Sequence, residues 1–303
     1  MATSAGVIAR LIAGWTAWRG RRHPLVGLYG LPRGGTNFVS AALHYHPRVF
    51  CVSEREHDWR RPLERYWQRR SIFREHGVQD KELARIERVV FNKVQRFPRL
   101  WGAQVALPAD TRLIFYLRNP IRVFRSREAY RREHEPFRDE WSATTANFEP
   151  LLDEAGAILS LHRQFAGRHA CLFWTHEHFC LHYQQAVAET FRFIDVEDVA
   201  LPEPRAFFRS CGRCGAPFTA RCVERRVQLR CETCGVALRG YGHFDPLRPI
   251  DTGEVVNANW KTLPGVDKLM LRLRARLGSA LADYFWAGDY SQELPLDTLR
   301  HAA

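Results

Sequence analysis

The chain has 303 residues, of which 46% are hydrophobic and 26% are charged, and its formal net charge at pH 7 is +12. This composition is typical of a folded globular protein and excludes an intrinsically disordered chain. No apolar run approaches the roughly 20 residues that a membrane-spanning helix needs, and the positive charge favours an anionic ligand, a polyanion or a membrane surface.

Residues 1–23 are predicted to form an amphipathic helix that precedes the main domain. Their apolar side chains fall on one side of a helix, and a run of arginines follows. Such a helix either docks onto the body of the protein, which we favour, or lies in a membrane interface through residues 5–22. Arg10 interrupts the apolar stretch, which argues against a signal peptide. Because the cysteines form no disulfide framework, we expect a cytoplasmic protein, with membrane association as an open alternative.

Short apolar runs alternate with stretches of helical spacing over most of the chain. The runs have the length of buried strands and cover residues 25–31, 48–52, 112–118 and 170–175. The helical stretches are 36–45, 59–97, the segment after Pro120, 143–167, 176–194 and 264–287. This alternation predicts an α/β fold, a P-loop-like doubly wound parallel sheet flanked by helices. The predicted core occupies residues 24–204 and 246–303.

The first predicted strand ends in a glycine-rich loop, Gly30-Leu-Pro-Arg-Gly-Gly-Thr-Asn37, which opens a helix. Glycines let the backbone approach a phosphate closely, and a helix N-terminus offers N–H groups and a positive dipole end. The candidate anion-binding residues are Arg33, Gly34, Gly35, Thr36 and Asn37. A nucleotide-kinase P-loop would carry a lysine directly after the second glycine, which is absent here. A plain glycine turn is the alternative.

A second motif, Arg118-Asn-Pro, closes the predicted strand 112–118, and Ser126 follows the arginine by eight residues. Arg118 lies at the carboxyl end of a parallel strand, where ligands bind in open α/β sheets. Ser126 lies about two helical turns further on, so both side chains can reach one phosphate. The alternative is a simple helix start at Pro120.

In this order and spacing the two motifs resemble those of the sulfotransferase superfamily. Pro32-Arg-Gly-Gly-Thr36 is similar to its 5′-phosphosulfate loop, and Arg118 with Ser126 is similar to its 3′-phosphate motif. An arginine at position 33 looks more like the tyrosylprotein and bacterial branches than the cytosolic small-molecule branch. His176-Glu-His-Phe179 resembles a further element of the family.

The resemblance extends to Asn259-Trp-Lys261, which implies that Trp260 and Lys261 lie near a nucleotide. It implies an enzyme that moves the sulfuryl group of 3′-phosphoadenosine 5′-phosphosulfate (PAPS) to an acceptor hydroxyl, leaving 3′-phosphoadenosine 5′-phosphate (PAP). The implied acceptor is a glycan, a lipid or another alcohol, and no nucleic-acid partner is expected. Two rival functions stay open: a P-loop kinase or NTPase, and a non-catalytic polyanion or nucleic-acid binder on the same fold.

Sulfuryl transfer needs charge stabilisation on the bridging oxygen and a base for the acceptor hydroxyl. The resemblance implies that Arg33 and Lys93 supply the stabilising charge. Gln95 stands where the cytosolic branch has a histidine base, which implies that Glu54 or Glu56 serves instead, the choice remaining open. The alternative for these glutamates is a surface ion pair, and for Lys93 a solvated face.

Two cysteine pairs, Cys211-Gly-Arg-Cys214 and Cys231-Glu-Thr-Cys234, are separated by sixteen residues. This spacing is typical of a four-cysteine zinc ribbon. Because four thiolates fill a tetrahedral site, we predict a structural Zn²⁺ ion with no open catalytic position. Residues 205–245 are therefore predicted to be a small zinc-ribbon insertion in the core. Two disulfides or a redox pair are the alternatives.

Overall fold

The computed structural model of the protein describes residues 25–46, 48–52, 86–92, 109–134, 136–199, 216, 218–223, 226–233, 237–239, 258–294 and 296. The strands are β1 (Leu25–Gly30), β2 (Val49–Val52), β3 (Arg88–Asn92), β4 (Arg112–Leu117), β5 (Ala170–Thr175), β6 (Phe218–Val223), β7 (Arg226–Cys231) and β8 (Ala237–Arg239). The α-helices are α1 (Thr36–His44), α2 (Pro120–His134), α3 (Thr145–Ala166), α4 (His176–Leu181), α5 (Tyr183–Phe193), α6 (Val266–Leu277) and α7 (Ser279–Ala287).

Strands β1 to β5 form one parallel sheet in the order β2-β3-β1-β4-β5. β1 lies at its centre, where Gly27 pairs with Phe91 of β3 and with Leu113 of β4. The chain leaves β1 toward the β2 edge and leaves β4 toward the β5 edge. The crevice at the carboxyl ends of β1 and β4 is therefore the topological switch point, where open α/β sheets bind ligands. The predicted doubly wound α/β fold is confirmed.

Helices cover both faces of this sheet, and alternate side chains of each central strand enter different apolar clusters. Tyr29 and Phe115 belong to the cluster that contains α3, α6 and α7 side chains, and their rings stack at 5.0 Å. Leu28 and Ile114 belong to the cluster that α1 and α5 complete. All four side chains are almost fully buried. Burial on both faces is the reason that these strands read as continuous apolar runs.

Strand β3 lies in a stretch that was predicted to be helical, so that prediction was wrong for residues 88–92. The apolar run between charged Arg88 and polar Asn92 has only three residues. A run this short has no period that would distinguish a strand from a helix. Arg88 is buried, and its guanidinium donates to the carbonyl oxygens of Ile194 at 2.5 Å and Asp195 at 3.0 Å. The strand is thus stabilised by contacts with residues distant in sequence.

Two of the predicted helices are each divided into two. The stretch 176–194 breaks at His182, where φ is −109° and ψ is 37°. The stretch 264–287 breaks at Gly278, whose φ of +91° lies outside the range of a right-handed helix. At each break one residue leaves the helical backbone conformation, which helical spacing alone does not predict.

The predicted cysteine-rich insertion contains a small antiparallel sheet in the order β6-β7-β8. Phe218 of β6 pairs with Cys231 at the end of β7. The predicted N-terminal helix in residues 1–23 lies outside the described residues. Among the helices that the structure describes, none combines the length and the apolar character needed to span a bilayer.

Candidate anion-binding site

The loop between β1 and α1 has no room for a side chain at Gly30 or Gly35, which flank it, or at Gly34 within it, where a Cβ atom would lie 2.7 Å from the carbonyl oxygen of Leu31. A Cβ atom on Gly30 would lie 2.5 Å from Thr36 Cγ2 and 2.7 Å from the carbonyl oxygen of Tyr116. Gly35 has a φ of +95°, and a Cβ atom there would lie 2.6 Å from the His176 ring. The bare backbone of the loop is therefore packed directly against β4 and α4.

Between these glycines the backbone makes a tight turn in which Arg33 has a φ of +65°. The Gly34 amide donates to the carbonyl oxygen of Leu31 at 2.7 Å and closes the turn. Nη1 of Arg118 donates to the carbonyl oxygen of Arg33 at 3.2 Å. A positive φ at a residue other than glycine costs on the order of 1–3 kcal/mol and persists only where its surroundings enforce it. The contact from Arg118 is one such restraint.

The turn leads straight into helix α1, whose N-cap is Gly35. Thr36 is the first residue of the helix, so its amide has no carbonyl partner within the helix and points toward the site of an external acceptor. The positive end of the helix dipole adds to this attraction for anions. Loop and helix together have the geometry of a phosphate-binding site.

The Arg33 side chain reaches helix α2, which begins just after Arg118. Its Nε donates to Ser126 Oγ at 3.4 Å, and its guanidinium carbon lies 4.6 Å from the centre of the Tyr130 ring. Ser126 and Tyr130 are four residues apart and so share one face of α2. The structure thus brings together Arg33, Arg118 and Ser126, three residues that the two sequence motifs singled out separately.

The guanidinium groups of Arg33 and Arg118 therefore both lie at the switch point, near enough for the charge of Arg118 to act on Arg33. Burial lowers the pKa of Arg33, and the charge of Arg118 acts in the same direction. Arginine nevertheless stays protonated at neutral pH, so both groups are positive. Nε of Arg118 is buried and makes no hydrogen bond with the described residues. An anion bound here would satisfy this donor and offset the repulsion between the two charges.

His176, the first residue of α4, forms part of the floor beneath the loop. Its Nδ1 lies 2.6 Å from the hydroxyl oxygen of Tyr116, and its ring packs against Gly35. Burial lowers the pKa of His176 well below its ordinary value, and the charges of Arg118 and Arg122 act in the same direction. The imidazole is therefore neutral at pH 7 and adds no further positive charge to the crevice.

Glu177 supplies a buried carboxyl group behind the second motif. Its Oε1 accepts a hydrogen bond from the Asn119 amide at 3.2 Å, while Asn119 Oδ1 accepts one from the Ile121 amide at 3.0 Å. Burial raises the pKa of Glu177, and the charges of Arg118 and Arg122 oppose this rise. These contacts explain the Arg118-Asn-Pro motif physically, because the asparagine caps α2 while the arginine reaches the loop.

Three residues of the site were not singled out from the sequence. Tyr116 was hidden in an apolar strand, although its position near the carboxyl end of that strand was a usable signal. Tyr130 follows Ser126 by four residues and could have been found by helical spacing. Arg127 also contacts the loop, through the carbonyl oxygen of Pro32 at 3.4 Å. No signal distinguishes it from the many other arginines of the chain.

The predicted nucleotide contacts Trp260 and Lys261 lie against helix α7. Trp260 is buried, with its ring centre 5.9 Å from that of Trp286. Nζ of Lys261 lies 5.5 Å from the same Trp286 ring and donates to the carbonyl oxygen of Ala287 at 3.4 Å. A lysine in this position stabilises the C-terminus of a helix.

Lys93, Glu54 and Glu56 lie outside the described residues. The strands that precede them are described, and β2 ends at Val52 while β3 ends at Asn92. Because all five strands are parallel, β2 and β3 end at the same edge of the sheet as β1, which the phosphate loop follows.

Of the four cysteines predicted to bind zinc, one lies within the residues that the structure describes. Cys231 ends β7 and is buried, whereas Cys211, Cys214 and Cys234 lie outside the described residues. Within the described ranges, no group of three or more histidine, cysteine, aspartate or glutamate side chains is arranged to hold a metal ion. The zinc ribbon remains a prediction.

No protein-family model matches the chain, and no curated protein sequence matches it. Several solved structures do match the chain. The sulfotransferase domain from the Curacin biosynthetic pathway matches with a TM-score of 0.50 and 15% identity, over 84% of this chain and 97% of that domain. A mouse sulfotransferase complexed with PAP matches with a TM-score of 0.49 and 16% identity, over 91% and 93% of the two chains. The first of these likenesses shows that the chain has the sulfotransferase fold.

Proposed function

We propose that this chain is a sulfotransferase that moves the sulfuryl group of PAPS to an acceptor hydroxyl. The observation that carries the proposal is the junction of the two motifs, in which Arg33 of the phosphate loop contacts both Arg118 and Ser126. This junction lies at the switch point of a sheet with the sulfotransferase fold. PAPS carries an anionic group at each of two ribose positions, and the crevice offers two adjacent cationic side chains.

In the proposed donor complex, the phosphate loop binds the 5′-phosphosulfate through the backbone amides of Gly35 and Thr36 and the side chain of Asn37, while Gly34 closes the turn that brings them together. Arg118 and Ser126 bind the 3′-phosphate, to which a guanidinium can donate two parallel hydrogen bonds. The Nε atom of Arg118 that lacks an acceptor in the described part of the chain then gains one. Trp260 and Lys261 contribute to the nucleotide site from the side of α7.

Transfer forms a bond between the acceptor oxygen and the sulfur atom and breaks the bond between sulfur and the bridging oxygen. The bridging oxygen leaves as part of PAP, and negative charge grows on it during the step. Arg33 and Lys93 stabilise that charge, a type of interaction whose loss costs about 100- to 1000-fold in kcat. The proton of the acceptor hydroxyl passes to Glu54 or Glu56, whichever lies within hydrogen-bond reach.

The acceptor class that we propose is a glycan, a lipid or another alcohol. A carboxylate base suits such hydroxyls, because it can take up their proton as the oxygen attacks. The proposed structural Zn²⁺ would be held by Cys211, Cys214, Cys231 and Cys234, and it has no part in the transfer itself.

The first test is calorimetric binding of PAP to the full-length protein, with ATP as the competing ligand. We expect micromolar binding of PAP that ATP does not match. Arg118→Ala should weaken it at least about tenfold, because a charged hydrogen-bonding pair is lost. Arg125→Ala is the matched control, since it removes an exposed arginine from the same helix α2.

Three outcomes would count against the proposal. Equal binding of ATP and PAP would favour a kinase or NTPase. Salt-sensitive binding of a polyanion such as heparin, without affinity for PAP, would favour a non-catalytic binder. Equal losses in Arg118→Ala and Arg125→Ala would show that net charge, and not the crevice, attracts the ligand.

A further inference from the structure

Arg127 follows Ser126 on α2, but its side chain extends to a different part of the phosphate loop. Its Nε donates to the carbonyl oxygen of Pro32 at 3.4 Å. Only 5% of the residue is exposed. Arginine is seldom buried to this extent unless it is paired, so the surroundings of this guanidinium are informative.

The partner that permits this burial is Glu154, which lies on α3. Nη2 of Arg127 lies 2.5 Å from Glu154 Oε2, and the guanidinium carbon is 5.8 Å from the centre of the Trp141 ring. A buried guanidinium whose carboxylate is removed is left as an uncompensated charge, which is strongly unfavourable. Glu154 therefore holds the side chain of Arg127 in one position, and Arg127 in turn holds the loop.

The hydrogen bond to Pro32 determines how the next peptide group is oriented. A peptide unit is planar and trans, so its N–H points away from its carbonyl oxygen. Fixing the Pro32 carbonyl toward Arg127 turns the Arg33 amide in the opposite direction. Arg118 fixes the following carbonyl, that of Arg33, at 3.2 Å. Two arginines thus hold two consecutive carbonyl groups of the loop, and Arg33 lies between them at its positive φ.

We infer that Arg127, held by Glu154, is a positioning residue that orients the Arg33 peptide and side chain for the anion in the crevice. The inference rests on the proposed function in that this anion is taken to be the phosphosulfate end of PAPS. Arg127 does not touch the donor in this scheme. It acts through Pro32, and Glu154 acts through Arg127. The effect of Glu154 on the loop should therefore require the presence of Arg127.

Two measurements on the full-length protein test whether Glu154 acts through Arg127. They are amide hydrogen exchange of residues 31–37 without ligand, and calorimetric PAP binding. In Arg127→Met we expect exchange of the loop amides to become about tenfold faster and PAP affinity to fall about tenfold, as for loss of one charge-assisted hydrogen bond. Glu154→Gln should change both in the same direction by a smaller factor. The double variant should match Arg127→Met alone, because Glu154 has no route to the loop once Arg127 is gone.

Asp153→Asn is the matched control, since Asp153 neighbours Glu154 on α3 but forms an exposed ion pair with Arg276. It should change neither measurement. Exchange of β5 amides serves as the internal reference, and equal acceleration there would reduce the effect to general destabilisation and overturn the inference. Unchanged loop exchange and affinity in Arg127→Met, or losses in the two single variants that simply add, would overturn it as well.

The same data separate the inference from the proposed function. If the wild-type protein fails to bind PAP while loop exchange still responds to Arg127→Met and Glu154→Gln, the positioning role stands and the sulfotransferase proposal fails. If PAP binds tightly to all variants alike, the proposal stands and the positioning role fails.

Discussion

Gly35 shows how little space the phosphate loop leaves between itself and the rest of the protein. Its φ of +95° is one that other residues rarely adopt, and the His176 ring occupies the place of a Cβ atom. His176 in turn is fixed by the hydroxyl group of Tyr116. The loop, the first residue of α4 and the end of β4 therefore form one packed unit, which a single methyl group would disturb.

We predict that Gly35→Ala lowers the free energy of unfolding by about 1–3 kcal/mol, because it adds both a strained φ and a steric overlap. Urea unfolding measures this change, and PAP affinity should fall with it. Gly167→Ala is the control: Gly167 has a φ of −80°, and a Cβ atom there meets nothing within 4 Å. That variant should be neutral or slightly more stable. Equal effects of the two substitutions would contradict the packing described here.

At the scale of residues, the order of motifs was enough to single out Arg33, Arg118 and Ser126. Their spacing carries chemical information, because a loop, a strand end and one helix face converge wherever parallel strands end together. Arg127 lacked such a signal. Its importance depends on which rotamer it adopts and on the presence of Glu154 across a helix interface, and neither is encoded in local spacing.

At the scale of elements, the central strands β1 and β4 and the edge strands β2 and β5 were predictable, whereas the central strand β3 was not. A strand buried on both faces is an uninterrupted apolar run, which is easy to recognise. β3 instead begins with Arg88, whose charge is compensated by the carbonyl oxygens of Ile194 and Asp195 and by the Asp195 carboxylate at 2.6 Å. Partners over a hundred residues away in the chain override the local polarity, so the sequence around β3 resembled a surface helix.

The contacts of Arg88 predict how much this strand depends on it. Arg88→Met should lower the free energy of unfolding by about 1–3 kcal/mol, because buried carbonyl groups lose their donor. Arg48→Met is the matched control, since Arg48 lies just before β2 and its ion pairs with Glu87 and Glu197 are largely exposed. We expect at most about 1 kcal/mol there. Urea unfolding of both variants checks the difference, and similar losses would show that Arg88 is not specifically required.

At the scale of the whole molecule, the chain combines the parallel core with a separate antiparallel sheet, β6-β7-β8. A small sheet of three strands needs a hydrophobic face, a packed helix or a bound metal for its stability, and the four predicted cysteine ligands would supply a metal site. We therefore expect the purified protein to hold about one zinc ion per chain. Elemental analysis measures this content directly.

The cysteine variants locate the metal. Cys211→Ser and Cys231→Ser should each lose the zinc, whereas Cys222→Ser, which removes a cysteine from β6 outside the two pairs, should keep it. Treatment with a chelator should leave PAP binding nearly intact, because no residue of the proposed donor site belongs to the insertion. A metal-free protein with two disulfides in mass spectrometry would replace the zinc ribbon by the disulfide alternative.

Helices α6 and α7 follow all five strands of the parallel sheet in the chain, which bears on how the protein is made. These helices bury Leu273, Leu277, Leu281 and Phe285 against one face of the sheet, all nearly inaccessible to solvent. Every strand of that sheet leaves the ribosome earlier, and at roughly 5–20 residues per second the helices follow only after several seconds. During this interval the part of that face which α6 and α7 cover in the folded protein is exposed in the nascent chain. We therefore expect the nascent chain to depend on chaperones until α7 has been made.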